Sequence, residues 1–311
     1  MRFDPRQTAA LLAVLETGSF EAAAQQLHIT ASAVSQRIRA LEIEMGGTLI
    51  ARTRPCHGTP LGQRLMQHLR RAALLEDDFD AEIRGHAEAP LRLVLAVNAD
   101  SLATWFVPAL APMFVAENVL LETHVDDQDH TQALMTSGEA VGCVTTQADA
   151  IRGCEALPLG VMRYRLMASR DFVRDRFPEG LSRDAMRRAP VVAASRKDRL
   201  HTRVIERRLG LKEDAYPCHH IGPAIPRFES VGRALGVGMV PELWLASQPK
   251  AAREDFVDLL PDHPTDVALF WHGWKLQSPR LERLTKRLVS AAQDVLLGST
   301  QPARTKRTTR L

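Results

Sequence analysis

Four side chains able to contact DNA recur along one side of a predicted helix: Ser32, Ser35, Gln36 and Arg39. Hydroxyl, amide and guanidinium groups of this kind bind base edges and phosphates in the major groove. The opposite side of the helix carries an apolar stripe that repeats at spacings of four, three and four residues: Val34, Ile38, Leu41 and Met45. This division predicts a helix that packs one face on a core and presents the other face to DNA.

The surrounding residues predict a helix-turn-helix between Phe20 and Met45. Thr30 stands at the position of an N-cap, and three alanines at residues 22–24 are small enough for two helices to cross closely. Gly46 is suited to end the second helix, because glycine adopts the left-handed conformation without strain. The same periodicity is also compatible with an ordinary surface helix in a bundle.

The order of the residues favours the helix-turn-helix, because AAAQQLHITASAVSQRIRALE resembles the signature of the LysR-type transcriptional regulators. The segment GGTLIARTR resembles the wing of that family, and TPLG at residues 59–62 resembles the start of its linker helix. Three later segments, VNADSLATWFVPALAP, DQDH and FWHGWKL, are similar to a narrower branch, the regulators of basic amino acid export (LysG/ArgP type), although Phe270 replaces the tyrosine of that branch. The resemblance extends from Met1 to Leu297.

The charge distribution also favours a nucleic-acid partner. The formal net charge is only +3, but between Val34 and Arg71 seven arginines stand against two glutamates, which gives this window a charge of +5. The predicted partner is double-stranded DNA. The residues expected to contact it come from the helix-turn-helix and, for the last two, from a two-stranded wing between Leu49 and Gly58: Thr30, Ser32, Ala33, Ser35, Gln36, Arg37, Arg39, Arg52 and Arg54.

A long helix is predicted to start at Thr59 and Pro60, a pair that combines an N-cap with a first-turn proline. Its apolar stripe repeats every three or four residues: Leu61, Leu65, Leu69, Ala72, Leu75, Phe79 and Ile83. We expect no part of the same chain to cover this stripe, so its partner is the same helix of a second subunit. The sequence therefore predicts a homodimer or a homotetramer.

The length of 311 residues suits two or three domains. We predict a winged helix-turn-helix DNA-binding domain at 1–58, a linker helix and hinge at 59–90, an effector-binding domain at 91–297, and a basic, disordered tail at 298–311. From Leu91 short apolar strands alternate with helices, which predicts a parallel α/β sheet. The resemblance implies that this region forms two α/β lobes around a cleft, like a periplasmic solute-binding protein.

The apolar segments and the cysteines of the sequence indicate the cellular compartment of the protein. We find no apolar run that approaches the roughly 20 residues of a membrane span, and no signal peptide at the start, so we expect a cytoplasmic protein with no membrane partner. The four cysteines form no CxxC pair, which argues against a zinc site or a disulfide framework. Cys218, His219 and His220 are adjacent in a predicted strand and point to alternate faces, so we predict no metal site there either.

Three strand ends of the predicted sheet carry polar residues, and ligands bind open parallel sheets beyond the carboxyl ends of the strands. The first end leads into a helix whose free amides suit a carboxylate, and its candidates are Asn98, Ala99, Asp100, Ser101, Thr104 and Trp105. The second end carries an anionic pair suited to an ammonium or a guanidinium, Asp126 and Asp127. The third end carries two short hydroxyl groups, Thr145 and Thr146.

Four further candidates from the predicted second lobe are expected to close the cleft: Arg163, Tyr164, Arg227 and Phe228. Together these groups predict a small zwitterion with an extra positive charge, which describes lysine or arginine, and the resemblance implies the same ligands. Several positions also have a purely structural interpretation. Asp100 and Ser101 suit a helix cap, Asp127 suits a solvated surface and Trp105 suits a core.

We therefore expect a transcriptional regulator that senses lysine or arginine and activates the gene of an amino acid exporter, with RNA polymerase as a partner that the resemblance implies. The alternative is an architectural or replication-origin-binding DNA protein that binds amino acids incidentally, with a ligand-independent footprint at many AT-rich sites. The sequence contains no GxSxG elbow, glycine-rich phosphate loop or HExxH pair. We accordingly predict no enzyme activity, no catalytic residue and no cofactor.

Overall fold

The structure is a computed structural model that describes residues 3–84, 90–125 and 134–298. Three sequence predictions fall largely or wholly outside these ranges: the hinge at 85–90, the aspartates Asp126 and Asp127, and the basic tail at 298–311. The described chain forms a helical head, a long helix, and a larger region built on a single sheet.

The head consists of three helices and a short hairpin: α1 (Pro5–Thr17), α2 (Phe20–Gln26), α3 (Ala31–Met45), β1 (Ile50–Ala51) and β2 (His57–Gly58). The side chain of Thr30 caps α3 by accepting the backbone N–H of Ala33 at 3.1 Å. Gly46 ends α3 in the left-handed conformation with a φ of 69°. The predicted helix-turn-helix and two-stranded wing are confirmed, with wing strands shorter than predicted.

The apolar stripe of α3 lies in the core of the head. Val34, Ile38 and Leu41 are fully buried against a cluster that includes Leu11 of α1, whereas Met45 is half-buried. Burying an aliphatic side chain of this size contributes roughly 1.5–3 kcal/mol, so this packing fixes the rotation of the helix about its axis. The opposite face of α3 consequently points to solvent.

The long helix α4 (Pro60–Arg84) begins against the head. Thr59 caps it, because its hydroxyl accepts the backbone N–H of Gly62 at 3.1 Å and donates to the carbonyl oxygen of Thr48 at 2.6 Å. A Cβ atom on Gly62 would overlap the carbonyl oxygen of Leu49, so the close approach of helix and head requires glycine at this position.

The apolar stripe of α4 has more cover from its own chain than the sequence indicates. Leu65 is buried, and Leu61 and Leu69 pack against the core of the head. The expectation that nothing in the same chain covers the stripe is therefore wrong for its first half, because the first turns of α4 belong to the head. Further along the helix, Phe79 is 60% exposed, and a second subunit remains the expected cover there.

One side of α4 also contacts the sheet region. The guanidinium of Arg70 forms ion pairs with Glu16 of α1 at 3.3 Å and with Glu139 at 3.7 Å. The guanidinium carbon of Arg71 lies 4.7 Å from the ring centroid of Trp274. These contacts connect the head to the larger region through the side chains of one helix.

The sheet region contains nine described strands, which follow β4-β3-β5-β11-β6-β9-β7-β8 across the sheet, with β10 paired to β6. Their bounds are β3 (Leu91–Val97), β4 (Val119–His124), β5 (Gly142–Thr145), β6 (Cys154–Ser169), β7 (Val191–Ala193), β8 (Cys218–His220), β9 (Val237–Pro241), β10 (Phe256–Asp258) and β11 (Thr265–Trp274). Strand β3 pairs in parallel with β4 and β5, and β7 pairs in parallel with β8 and β9. We call the first group with its helices the first lobe, and the second group with its helices the second lobe.

The two longest strands, β6 and β11, run antiparallel to each other and to their neighbours β9 and β5. The prediction of a parallel sheet is therefore wrong at these two strands. The chain crosses between the lobes in opposite directions along them, and a pattern of apolar residues does not encode strand direction. The two-lobed α/β architecture itself is confirmed.

Helices cover the sheet on both lobes: α5 (Ala99–Ala116), α6 (Arg170–Arg176), α7 (Arg183–Arg188), α8 (Leu200–Leu209), α9 (Ala224–Gly232), α10 (Glu242–Ser247), α11 (Lys250–Glu254) and α12 (Pro279–Val295). By length and composition α5 is apolar enough to cross a membrane, contrary to the expectation that no such run exists. Its residues Trp105, Phe106 and Leu110 are buried in the core of the sheet region. We therefore assign α5 as a core helix.

Candidate functional site

The exposed face of α3 is the centre of the candidate DNA-binding site. Three of the predicted contact residues are exposed there: Ser32, Gln36 and Arg39. Three others on the same helix are half-buried: Ala33, Ser35 and Arg37. Thr30 uses its side-chain oxygen as the N-cap, so its role in this structure is to hold the start of the helix.

The wing and the start of α3 enclose a groove with a volume of about 680 Å³. Ser32 and Ser35 line it from α3, and Arg52 and Arg54 line it from the wing. Both arginines are exposed. Hydroxyl and guanidinium donors thus share one concave surface, which is the chemistry that binds phosphates and base edges.

Two contacts hold the wing in place beside α3. The guanidinium carbon of Arg52 lies 5.2 Å from the ring centroid of Phe20. The backbone N–H of Cys56 donates to the carbonyl oxygen of Gly18 at 2.8 Å. Gly18 has a φ of 68°, and a Cβ atom there would lie 2.9 Å from the Cβ of Pro55, so this junction requires glycine.

A polar cluster of Asp100, Tyr164 and Arg227 lies between the two lobes. Nη2 of Arg227 donates to Oδ1 of Asp100, and the Tyr164 hydroxyl donates to Oδ2 at 2.9 Å. Asp100 belongs to α5 in the first lobe, Tyr164 to β6, and Arg227 to α9 in the second lobe. The side chains of Arg227 and Asp100 are only 7% and 19% exposed, so the ion pair is largely shielded from solvent.

Burial and charge set the protonation of this cluster. Burial raises the pKa of the Asp100 carboxyl above its ordinary value, and the charge of Arg227 and the hydrogen bond from Tyr164 oppose this shift. Burial and the neighbouring Asp100 carboxylate raise the pKa of Tyr164 well above its ordinary value. Tyr164 consequently stays protonated and acts as a donor to Asp100.

The start of α5 carries donors that have no partner among the described residues. The side-chain oxygen of Asn98 accepts the backbone N–H of Ser101 at 2.8 Å, so Asn98 rather than Asp100 caps the helix. Ser101 is fully buried, and its hydroxyl has no hydrogen-bond partner among the described residues; the same holds for Nδ2 of Asn98. The Thr104 hydroxyl donates to the carbonyl oxygen of Asp100 at 2.6 Å, and Ala99 packs against the core of the second lobe.

Three of the predicted effector residues are not arranged to contact a ligand at this cluster. Trp105 and Phe228 are 2% and 0% exposed, so both rings belong to the core and neither is presented to a ligand. The guanidinium of Arg163 donates to both carboxylate oxygens of Asp266 at 2.7 and 2.8 Å. Successive side chains of a strand point to opposite faces, which places Arg163 on the other face of β6 from Tyr164.

The remaining candidates come from the other two strand ends. Thr145 is buried, and its hydroxyl accepts the backbone N–H of Gln147 at 3.3 Å, whereas Thr146 is exposed. Asp126 and Asp127 lie outside the described residues. The anionic pocket predicted from these two aspartates therefore stays a prediction from the sequence.

Comparison with known proteins identifies the family. Residues 5–63 match the family model described as bacterial regulatory helix-turn-helix protein, lysR family. Over 294 residues the chain is 38% identical to the HTH-type transcriptional regulator ArgP of Aeromonas salmonicida, a match that covers 94% of this chain and 98% of that protein. The chain belongs to the LysR family.

Solved structures of LysR-family proteins share the whole architecture. ArgP from Mycobacterium tuberculosis matches with a TM-score of 0.85 and 38% identity, over 96% of this chain and 100% of that chain. Full-length LysG from Corynebacterium glutamicum with bound effector Arg matches with a TM-score of 0.77 and 33% identity, over 94% of this chain and 99% of that chain. The predicted LysG/ArgP branch is thereby confirmed, and these relatives are transcriptional regulators rather than enzymes.

One acidic residue near the cluster of this LysR-family chain, Asp198, is not among the residues predicted from the sequence. The charge of Asp198, which follows β7, raises the pKa of both Asp100 and Tyr164. Its carboxylate is itself held by the backbone N–H groups of Ala194 and Leu200 at 3.1 and 3.0 Å. The signal was present, because a polar residue at the carboxyl end of a parallel strand is the feature that identified the three strand ends of the first lobe.

The described part of this LysR-family chain contains no group of three or more histidine, cysteine, aspartate or glutamate residues arranged to hold a metal ion. Two of its cysteines, Cys143 and Cys154, are buried, and burial raises the pKa of the Cys143 thiol to about 12. A thiol in this state is a poor metal ligand and a poor nucleophile.

Proposed function

We propose that this LysR-family chain is a transcriptional regulator that senses arginine or lysine and, as an activator, controls the gene of an amino acid exporter. The observation that carries the proposal is the cluster of Asp100, Tyr164 and Arg227, which offers charges of both signs where the two lobes meet. The LysG relative supports it, because a protein 33% identical to this chain holds arginine as its effector.

The head is the part of the molecule that we expect to bind double-stranded DNA. Gln36 and Arg39 project from the exposed face of α3 toward base edges, and Arg54 of the wing contacts phosphate. We expect the full chain to act in the cytoplasm as a homodimer or homotetramer, in which the α4 helix of a second subunit covers the exposed Phe79. RNA polymerase is the further partner through which an activator raises transcription.

Effector binding is expected to change how the lobes and the heads are arranged. The positive end of α5 suits the α-carboxylate of an amino acid, as does the Ser101 hydroxyl, to which no described residue is hydrogen-bonded. Asp126 and Asp127 are proposed to receive its cationic side chain. A ligand that binds one arrangement of the lobes more tightly shifts the population toward it, and α4 carries that change to the head.

Isothermal titration calorimetry of the full chain with arginine, citrulline, lysine and norleucine tests the effector. Citrulline and norleucine keep the α-amino acid part but replace the charged side chain with a neutral one. Losing one ionic partner in a shielded site costs on the order of a hundredfold in affinity, so we expect both neutral analogues to bind about that much more weakly.

Equal affinities within each pair would contradict the proposed recognition of a basic side chain. A protein that binds none of the four ligands, yet protects many AT-rich sites with weak sequence preference, would instead fit an architectural DNA-binding protein.

A further inference from the structure

The ion pair between Asp100 and Arg227 joins the two lobes at the candidate effector site. The two residues are separated by 127 positions in the chain, and their side chains are 7% exposed for Arg227 and 19% exposed for Asp100. Ion pairs on a protein surface are common and weak, and burying two charges is costly unless further hydrogen bonds offset the lost hydration, so the role of a pair this shielded depends on its surroundings. The groups around them indicate that role.

Arg227 is held in place by acceptors from its own lobe. Its Nη1 donates to the carbonyl oxygens of Gly222 at 3.0 Å and Ile221 at 3.4 Å, and its guanidinium carbon lies 5.0 Å from the ring centroid of Phe228. Together with the bond to Asp100, these contacts engage three of the five N–H donors of a guanidinium. The remaining donors have the planar geometry that binds a carboxylate through two parallel hydrogen bonds.

Asp100 also has hydrogen-bond acceptor positions that no described residue occupies. A carboxylate offers about four acceptor positions, and Arg227 and Tyr164 occupy one on each oxygen. Next to it, the buried hydroxyl of Ser101 and Nδ2 of Asn98 have no partner among the described residues. Leaving a buried donor unsatisfied is costly, so these two groups favour a ligand that brings an acceptor.

An α-amino acid carries an ammonium and a carboxylate on one carbon atom, and is therefore the charge complement of an aspartate and an arginine that face each other. We propose that Asp100 and Arg227 are the clamp for the α-amino and α-carboxylate groups of the effector. The ammonium takes the place of the Arg227 guanidinium on Asp100, and Arg227 binds the α-carboxylate together with Ser101 and Asn98. One ion pair is replaced by two, so every charge keeps a partner of opposite sign.

The clamp rests on the proposed function and gives it a structural basis for selecting amino acids as a class. It binds the part that all amino acids share, and the basic side chain is recognised elsewhere. Agmatine, which is arginine without its α-carboxylate, loses the contact with Arg227. The acid 5-guanidinopentanoate, which is arginine without its α-amino group, loses the contact with Asp100. Both should bind on the order of a hundredfold more weakly than arginine.

Calorimetric titration of Arg227→Gln and Asp100→Asn with these three ligands tests the clamp. In Arg227→Gln, the affinity for arginine should exceed the affinity for agmatine by at most roughly tenfold, because the variant has already lost the carboxylate contact. In Asp100→Asn, the preference for arginine over 5-guanidinopentanoate should fall in the same way. A merely structural ion pair would weaken all three ligands by one factor and leave both preferences at their original size.

Two further variants keep this test interpretable. Arg227→Lys retains the positive charge while losing the planar fork, so it protects the fold and should give an intermediate preference. Arg233→Gln makes the same chemical change at an 81% exposed position just beyond α9, and should leave both preferences unchanged. Unchanged preferences in Arg227→Gln and Asp100→Asn, in a protein that still prefers arginine to citrulline, would overturn the clamp alone. A wild-type protein without that preference would overturn the proposed function.

Discussion

Replacing Gln36 or Arg39 with alanine is expected to weaken binding to the specific operator by about 1–3 kcal/mol, roughly five- to 150-fold. Both side chains are exposed on the face of α3 opposite its buried stripe, where a recognition helix contacts base edges. Fluorescence anisotropy at one fixed salt concentration measures the effect, with an operator selected by the protein from random duplexes and a scrambled duplex for comparison. Affinity for the scrambled duplex should change much less.

Arg54→Ala provides the contrast for this experiment. Its side chain lies on the wing and is expected to contact phosphate, so its loss should weaken operator and scrambled duplex alike and reduce the salt dependence of binding. Operator affinity that is unchanged in both the Gln36 and the Arg39 variants would contradict the assignment of α3 as the recognition helix.

Phe79→Glu is expected to break the oligomer while leaving each subunit folded. The side chain is 60% exposed in the single chain, so the substitution removes little from its core. In a pair of α4 helices it would place an unpaired carboxylate in an apolar seam, at a cost of about 3–5 kcal/mol, which corresponds to more than a hundredfold in association. Size-exclusion chromatography with light scattering gives the mass directly.

Two substitutions on the same helix sharpen this comparison. Ala73→Glu introduces the same charge at another exposed position of α4 and should leave the mass unchanged. Leu69→Glu is less informative, because Leu69 packs on the core of the head and its substitution would also destabilise the DNA-binding region. An intact oligomer in Phe79→Glu would rule out the pairing of α4 helices.

Local chemistry explains why much of the head is predictable from sequence. The Thr30 cap, the Gly46 terminus and the buried stripe at Val34, Ile38 and Leu41 each depend on residues within one or two turns of the chain. Strand direction in β6 and β11 depends on where the chain crosses between lobes, and no local pattern records that crossing. The prediction of a parallel sheet is wrong at these two strands for this reason.

The candidate effector site likewise combines features that local sequence determines with features that depend on long-range contacts. Asp100 was predicted from a strand end and Arg227 from the second lobe, but the pairing of the two depends on contact between the lobes, which no spacing in the sequence encodes. Arg163 and Tyr164 are adjacent in sequence, yet their side chains point to opposite faces of the strand. Arg163 contacts Asp266 on one face, and Tyr164 contacts Asp100 on the other. Trp105 was a candidate for stacking on a ligand although its position favoured a core role, and its burial assigns it to the core.

Binding of operator DNA with and without amino acids tests whether the winged helix-turn-helix is coupled to a sensor of basic amino acids. Footprinting and affinity should be measured on the selected operator with no ligand, arginine, lysine and norleucine. Coupling between two sites of one protein typically amounts to about 1–3 kcal/mol, so arginine or lysine should shift operator affinity or the protected region by an effect of that size, and norleucine should not. Identical footprints and affinities under all four conditions would contradict the account.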